Sequence, residues 1–333
     1  MKRSLLLALI TLLILGSVFS FTVTMVTDTG GLGDQSFNDG TWAGVERAVD
    51  ELGIEGKVIQ SNEQGDYISN LTSAAENSEV VIAVGFLLED ALKDVAPQFP
   101  DTDFIGIDMG ELDTPNIRTY SFKEQEGGFL VGFLAGAMSN KETVSTVGGM
   151  PIAPVKRYEI GYRAGVKAYN QLHDGDVDVI VGYTQTFSDV QKGKSMAMAQ
   201  ISQGADIILQ IAGLSGLGVF EAVKSEGEGY FGIGADMDQD HIVPGRILVS
   251  ALKRIDNAAY YGILDSYEDF FSGGLVVLGL QEDGIGVSPM TYTRDLIPEK
   301  YLLELKGLIY AAKNGELEIP QTETELEQFK IDF

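Results

Sequence analysis

The chain contains no cysteine, which excludes disulfides, thiolate metal sites, thiol nucleophiles and a lipid attached through sulfur. Histidine is nearly absent: His173 and His241 are the only two, neither has a partner at metal-ligand spacing, and both are expected at the surface. Basic residues are scarce, 23 Lys and Arg against 49 Asp and Glu, for a net charge of −26. That imbalance argues against nucleic acid or an anionic membrane as partner, since either would be repelled, while leaving a neutral ligand open. After residue 20 no apolar run is long enough to span a bilayer. Several motifs of chemistry are missing as well. Gly30-Gly31-Leu32-Gly33 lacks the spacing of a dinucleotide fingerprint, and no Walker lysine follows. Asp236, Asp238 and Asp240 start like a calcium loop, but His241 stands where glycine is required and Ile247 where glutamate is. Gly-x-Ser-x-Gly is absent. No catalytic residue, metal or cofactor is therefore expected, although a carboxylate-pair hydrolase stays open because sequence spacing says nothing about such a pair.

What is present is an internal repeat. Val80-Val81-Ile82-Ala83-Val84 leads through a short amphipathic run to Asp103-Phe104-Ile105-Gly106-Ile107-Asp108. Asp206-Ile207-Ile208-Leu209-Gln210-Ile211 leads likewise to Phe231-Gly232-Ile233-Gly234-Ala235-Asp236, and upstream Ala43-Gly44-Val45 matches Ala164-Gly165-Val166. Short apolar strands bounded by turn signals fit parallel sheets covered by helices on both faces. At 333 residues the chain can carry two such units. Two similar α/β lobes facing each other form a cleft, lined where strands end. The first 20 residues read as a secretory signal, with Lys2 and Arg3, an apolar core from Leu5 to Leu15, and cleavage near Phe21; a retained membrane anchor is the alternative.

The pass along the chain predicts a helix capped by Asn38 or Asp39 and running to Leu52, a buried helix from Glu124 to Met138, and a strand from Ile247 to Ser250 followed by Lys253. The acidic tail from Gln321 is expected on the surface. At the ends of strands stand Asp28, Phe37 and Asn38, then Asp108, and in the second half Phe187, Asp236 and Lys253. Each alone has a plain structural explanation: a turn former, a helix cap, a core ring, a solvated lysine. Together, at the cleft edge of two repeated lobes, they favour a ligand site, and the buried carboxylates among them need partners.

Asp28-Thr29-Gly30-Gly31-Leu32-Gly33-Asp34-Gln35-Ser36-Phe37-Asn38-Asp39 resembles the signature of the basic-membrane-protein family of ABC-importer binding proteins, which includes purine nucleoside receptors. The similarity continues through Glu126-Gly127-Gly128-Phe129, Ala212-Gly213-Leu214-Ser215-Gly216 and Ser250-Ala251-Leu252-Lys253-Arg254. The resemblance implies an α/β type I periplasmic-binding-protein fold: two Rossmann-like lobes, a ligand cleft and three crossovers. The expected lobes are residues 21–122 with 253–284, and residues 123–252 with 285–333. It implies a purine nucleoside such as guanosine, inosine or adenosine stacked between Phe37 and Phe187. Asp28, Asn38 and Asp108 would read the base, and Asp236 and Lys253 the ribose. The partners would be an ABC permease and its ATPase, with an exported, periplasmic or extracytoplasmic location. A sugar receptor, a non-transport sensor and a nucleoside hydrolase are the alternatives. Ser17 stands where a lipobox cysteine would be, so lipid anchoring is not expected.

Overall fold

The short apolar runs of the sequence become the central strands of two sheets. In the computed structural model, which describes residues 21–331, the first sheet receives β1 (Thr22–Val26), β2 (Glu55–Ile59), β3 (Val80–Val84), β4 (Asp103–Ile107) and β5 (Ile117–Phe122). The expected signal, residues 1–20, lies outside the described residues. β6 (Thr143–Gly148), β7 (Asp178–Tyr183), β8 (Ile207–Ile211), β9 (Phe231–Asp236) and β10 (Ile247–Lys253) build the second sheet. β11 (Gly274–Leu278) then returns to the edge of the first, and β12 (Ile285–Val287) to the edge of the second. The orders are β11-β5-β4-β3-β1-β2 and β12-β10-β9-β8-β6-β7, so the repeat holds strand for strand. All pairings are parallel except β10 with β12. β3 and β8 are buried along their whole length, as strands sandwiched between helix layers must be.

The helices are α1 (Phe37–Leu52), α2 (Tyr67–Ala75), α3 (Glu89–Val95), α4 (Glu124–Met138), α5 (Ala153–His173), α6 (Val190–Ser202), α7 (Gly216–Glu226), α8 (Ile255–Tyr267), α9 (Glu299–Lys313) and α10 (Glu323–Gln328). The strand order makes the chain cross between sheets three times, after β5, after β10 and after β11. α4 follows the first crossing and packs on α5, and α8 follows the second and packs on α1. Glycines let these backbones touch. A Cβ on Gly44 would fall on the Asp256 carbonyl oxygen, and one on Gly165 on the Phe129 carbonyl oxygen. The Ala-Gly-Val repeat therefore marks the equivalent helix crossing in each lobe.

Three expectations change. The strand from Ile247 runs on to Lys253, so that lysine ends the strand rather than following it. The tail is not simply a surface segment: Thr322 caps α10, and Leu326, Phe329 and Ile331 are buried, because apolar residues between the acidic ones have a groove beside α5 to fill. His173 is half-buried, its ring 4.9 Å from Tyr169 and its Nε2 3.0 Å from Glu304. His241 is exposed, as expected.

Candidate functional site

The loop after β1 is held together by buried carboxylates. Asp34 accepts hydrogen bonds from the backbone N–H groups of Ser36 (3.0 Å), Asn38 (2.9 Å) and Asp39 (3.1 Å). It thus satisfies the free donors at the start of α1, the task expected of Asn38 or Asp39. Burial pushes Asp34 up to about 7 in spite of these donors. Relieved of capping, the Asn38 amide donates to Asp28 Oδ1 (3.0 Å), while its own Oδ1 is buried with no hydrogen-bond partner. Asp28 Oδ1 also accepts from the Gly30 N–H at 2.8 Å. Burial raises the Asp28 carboxyl above its ordinary range, with Asn38 and Gly30 opposing. Gly85, at φ 107°, lets the chain after β3 pass beside Phe37 and Asp28.

Asp108 and Asp236 occupy matching positions at the ends of β4 and β9, and both have left-handed backbone, φ 61° and 68°. Aspartate tolerates this conformation better than most residues, so the repeated Ile-Gly-x-Asp ending is a turn as well as a pair of carboxylates. Lys253 joins them. Its Nζ lies 2.7 Å from Asp108 Oδ2, 3.6 Å from Asp236 Oδ1 and 3.7 Å from Glu124 Oε1. Burial works against its charge, but Asp108, Asp236 and Glu124 outweigh it and hold Lys253 above the usual lysine range. The same ammonium sits 4.7 Å from the centre of the Phe37 ring, within cation–π reach. Because Lys253 comes from the second sheet and Asp108 from the first, their pairing ties the lobes. Ser36 Oγ donating to Asp236 Oδ2 (2.8 Å) and Gln239 Nε2 donating to the Gln35 carbonyl (2.9 Å) add further ties.

Between the lobes these residues enclose a cavity of about 60 Å³. Asp28, Phe37, Asn38 and Asp108 line it from one side, and Phe187, Asp236 and Lys253 from the other. All seven candidates converge there. Phe187 is buried, its ring lying so close to Gly149 that a Cβ would overlap it. Sequence reasoning missed Asp34, Tyr158 and Val155, which also line the cavity, and Glu124, which supports Lys253. Asp34 was visible as one of several acids in the opening motif, and Glu124 as one of two carboxylates, with Glu126, in the first turn of a helix that is apolar beyond it. Tyr158 had no signal. Wider surface grooves exist, one of about 550 Å³ beside Arg118 and Arg254. Those arginines are already paired, Arg118 with Asp265 and Arg254 with Asp256.

The family model described as ABC transporter substrate-binding protein, PnrA-like (Bmp), matches residues 21–323. An uncharacterised lipoprotein of Pyrococcus horikoshii is 36% identical over 278 residues, 80% of this chain and 68% of the relative. The CD4+ T-cell-stimulating antigen of Listeria innocua is 32% identical over 325 residues, 90% of this chain and 88% of the relative. Among solved structures, an ABC transporter system solute-binding protein from Aeropyrum pernix superposes with a TM-score of 0.86 at 31% identity, covering 92% of this chain and 96% of that one. Among the described residues no helix is long and apolar enough to cross a membrane. With its two parallel-sheet lobes of the type I periplasmic-binding fold, the chain belongs to the Bmp family of extracytoplasmic ABC transporter substrate-binding proteins.

Proposed function

We propose that the protein captures a purine nucleoside between its lobes and delivers it, unchanged, to the permease of an ABC importer. The observation that carries this reading is the inter-lobe cavity, where Phe37 from one lobe and Phe187 from the other stand among buried acceptors, with Phe86 and Tyr158 also in the lining. Each good base–aromatic stack is worth about 1–3 kcal/mol. Asn38 Oδ1 and Asp108 Oδ1 are buried without partners. Such atoms are costly until a ligand donates to them, and a nucleoside carries N–H donors on its base and O–H donors on its ribose. Asp236 and Lys253 suit vicinal hydroxyls, which donate to a carboxylate and accept from an ammonium. The cavity of about 60 Å³ is well below the ~300–1,000 Å³ of occupied ligand pockets. The lobes therefore part to admit the nucleoside and close on it.

Competition binding with guanosine, deoxyguanosine, guanine, ribose and guanosine monophosphate tests the reading. Guanosine should bind best. Loss of the ribose 2′-hydroxyl should cost about 1.5–3 kcal/mol, one hydrogen bond to a charged group, and Asp236→Asn should erode that difference. The monophosphate should bind poorly, because its added charge meets Asp28, Asp108 and Asp236. Ribose binding as tightly as guanosine would overturn the nucleoside reading in favour of a sugar receptor. Recovery of free guanine after incubation would overturn delivery of an unchanged ligand.

A further inference from the structure

We propose that Glu124 is a positioning residue for the Lys253 ammonium, and that a proton taken up by Glu124 favours the closed lobes and so tightens ligand binding. The part concerning ligand rests on the nucleoside reading above; the part concerning closure does not.

Glu124 opens α4 just past the first crossing, and Lys253 ends β10 just before the second. The pair sits at the root of two of the segments that must flex when the lobes move. Glu124 is fully buried. Its Oε2 accepts from Arg157 Nε at 2.6 Å, while its Oε1 has no hydrogen-bond partner. Asp108 Oδ1 is orphaned in the same way. The groups facing Glu124 are Asp108 from the end of β4, Lys253 from β10, and Arg157 and Tyr158 from α5. Asp236 of β9 shares the same ammonium.

With every group ionised, Glu124, Asp108 and Asp236 outnumber Lys253 and Arg157, and a net negative charge is confined among largely buried groups. An uncompensated buried charge is expensive. A proton on Glu124 removes it and turns one of the two orphaned acceptors into a donor. It also leaves the Lys253 ammonium to Asp108 and Asp236, one on each lobe. Glu124 ionised competes for that ammonium from the second lobe alone, and so weakens the tie. Opening admits water, which relieves the penalty and returns Glu124 towards its ordinary range.

Burial, then the Asp108 charge, push Glu124 up to about 7, against Lys253 and Arg157. The closed form thus binds more protons than the open form between the ordinary carboxylate range and about pH 7. Closure weakens as pH rises through that window and changes little above it. Asp28 and Asp34 are raised as well, so the contribution of Glu124 is isolated by comparing Glu124→Gln with the wild type.

Guanosine affinity should fall by at least about tenfold from pH 5.5 to 8.5 in the wild type, as a carboxyl that titrates at about 7 in the closed form and in its ordinary range in the open form requires. Glu124→Gln, which imitates the protonated form, should remove most of that fall. Calorimetry in buffers of different ionisation enthalpy should show proton uptake near pH 7 on binding, reduced in Glu124→Gln. X-ray scattering of the ligand-free wild type should show more compact molecules at pH 5.5 than at 8.5, a difference reduced in Glu124→Gln. An unchanged pH profile in Glu124→Gln overturns the proposal. If that variant does not fold, equal wild-type dimensions at both pH values overturn it. If no nucleoside binds the wild type at any pH, the nucleoside reading fails, and scattering still decides whether Glu124 governs closure.

Discussion

Phe37 is half-buried at the start of α1, its ring facing both the cavity and the Lys253 ammonium. On the nucleoside reading, a ring so placed contributes more to the ligand than to the core it also packs against. Phe37→Ala should weaken guanosine binding by about 1–3 kcal/mol, the worth of a lost stacking platform, while moving the unfolding midpoint little. A core phenylalanine would instead cost about 3–5 kcal/mol of stability. Titration calorimetry and thermal unfolding of the same variant separate the two, and a stability loss without an affinity loss removes Phe37 from the site. At this scale the sequence singled out residues that meet at one cavity, but not their hydrogen-bond partners. Asn38 sits where a cap is expected, yet Asp34, four residues upstream, takes the α1 N–H groups, and the Asn38 amide donates to Asp28 and to Asp34 itself. Both assignments obey the same capping preference, and only the path of the loop distinguishes them.

Among the elements, the helix crossings carry the most legible packing. On α4 and α5, Gly128, Gly132, Gly161 and Gly165 each bring a Cα against a backbone group of the opposite helix. A methyl at Gly132 would fall on the Tyr162 carbonyl oxygen, where no side-chain rotation can relieve it. Gly132→Ala should therefore destabilise the protein by about 1–3 kcal/mol or more, the usual cost of overpacking. Gly307, on the exposed side of α9, has nothing within 4 Å of a built Cβ. Gly307→Ala should be stabilising by about 0.4–1 kcal/mol, because a helical alanine loses less backbone freedom on folding. Opposite shifts of the unfolding midpoint in the two variants check the packing directly; equal shifts would contradict it.

For the whole molecule, the proposed function turns on closure of the lobes. The contacts that tie the lobes, Lys253 to Asp108, Ser36 to Asp236 and Gln239 to Gln35, gather around the cavity. A ligand can shift the open–closed balance only through contacts that differ between the two forms, so it must engage both lobes. X-ray scattering at saturating guanosine should show a smaller radius of gyration than the free protein. An unchanged profile, with binding confirmed by calorimetry, would mean that the site fills without closure.

By itself the sequence determined the two-lobed repeat, most strand and helix positions, and seven of the residues that the structure brings to the cavity. Those features are written locally: strand burial shows as a short apolar run, a helix as an apolar face, and a strand-end aspartate as a repeated tetrapeptide. The tertiary structure alone decided who partners whom. Lys253 and Asp108 are 145 residues apart, and an ion pair over that distance leaves no trace in local periodicity. The orphaned oxygens of Glu124 and Asp108, the docking of Tyr158 on Asp236, and the burial of Leu326 and Phe329 in the tail belong to the same class. Each depends on how two lobes and three crossings lie against one another, and burial by distant segments is what turns an ordinary surface carboxylate into one that can hold a proton near neutral pH.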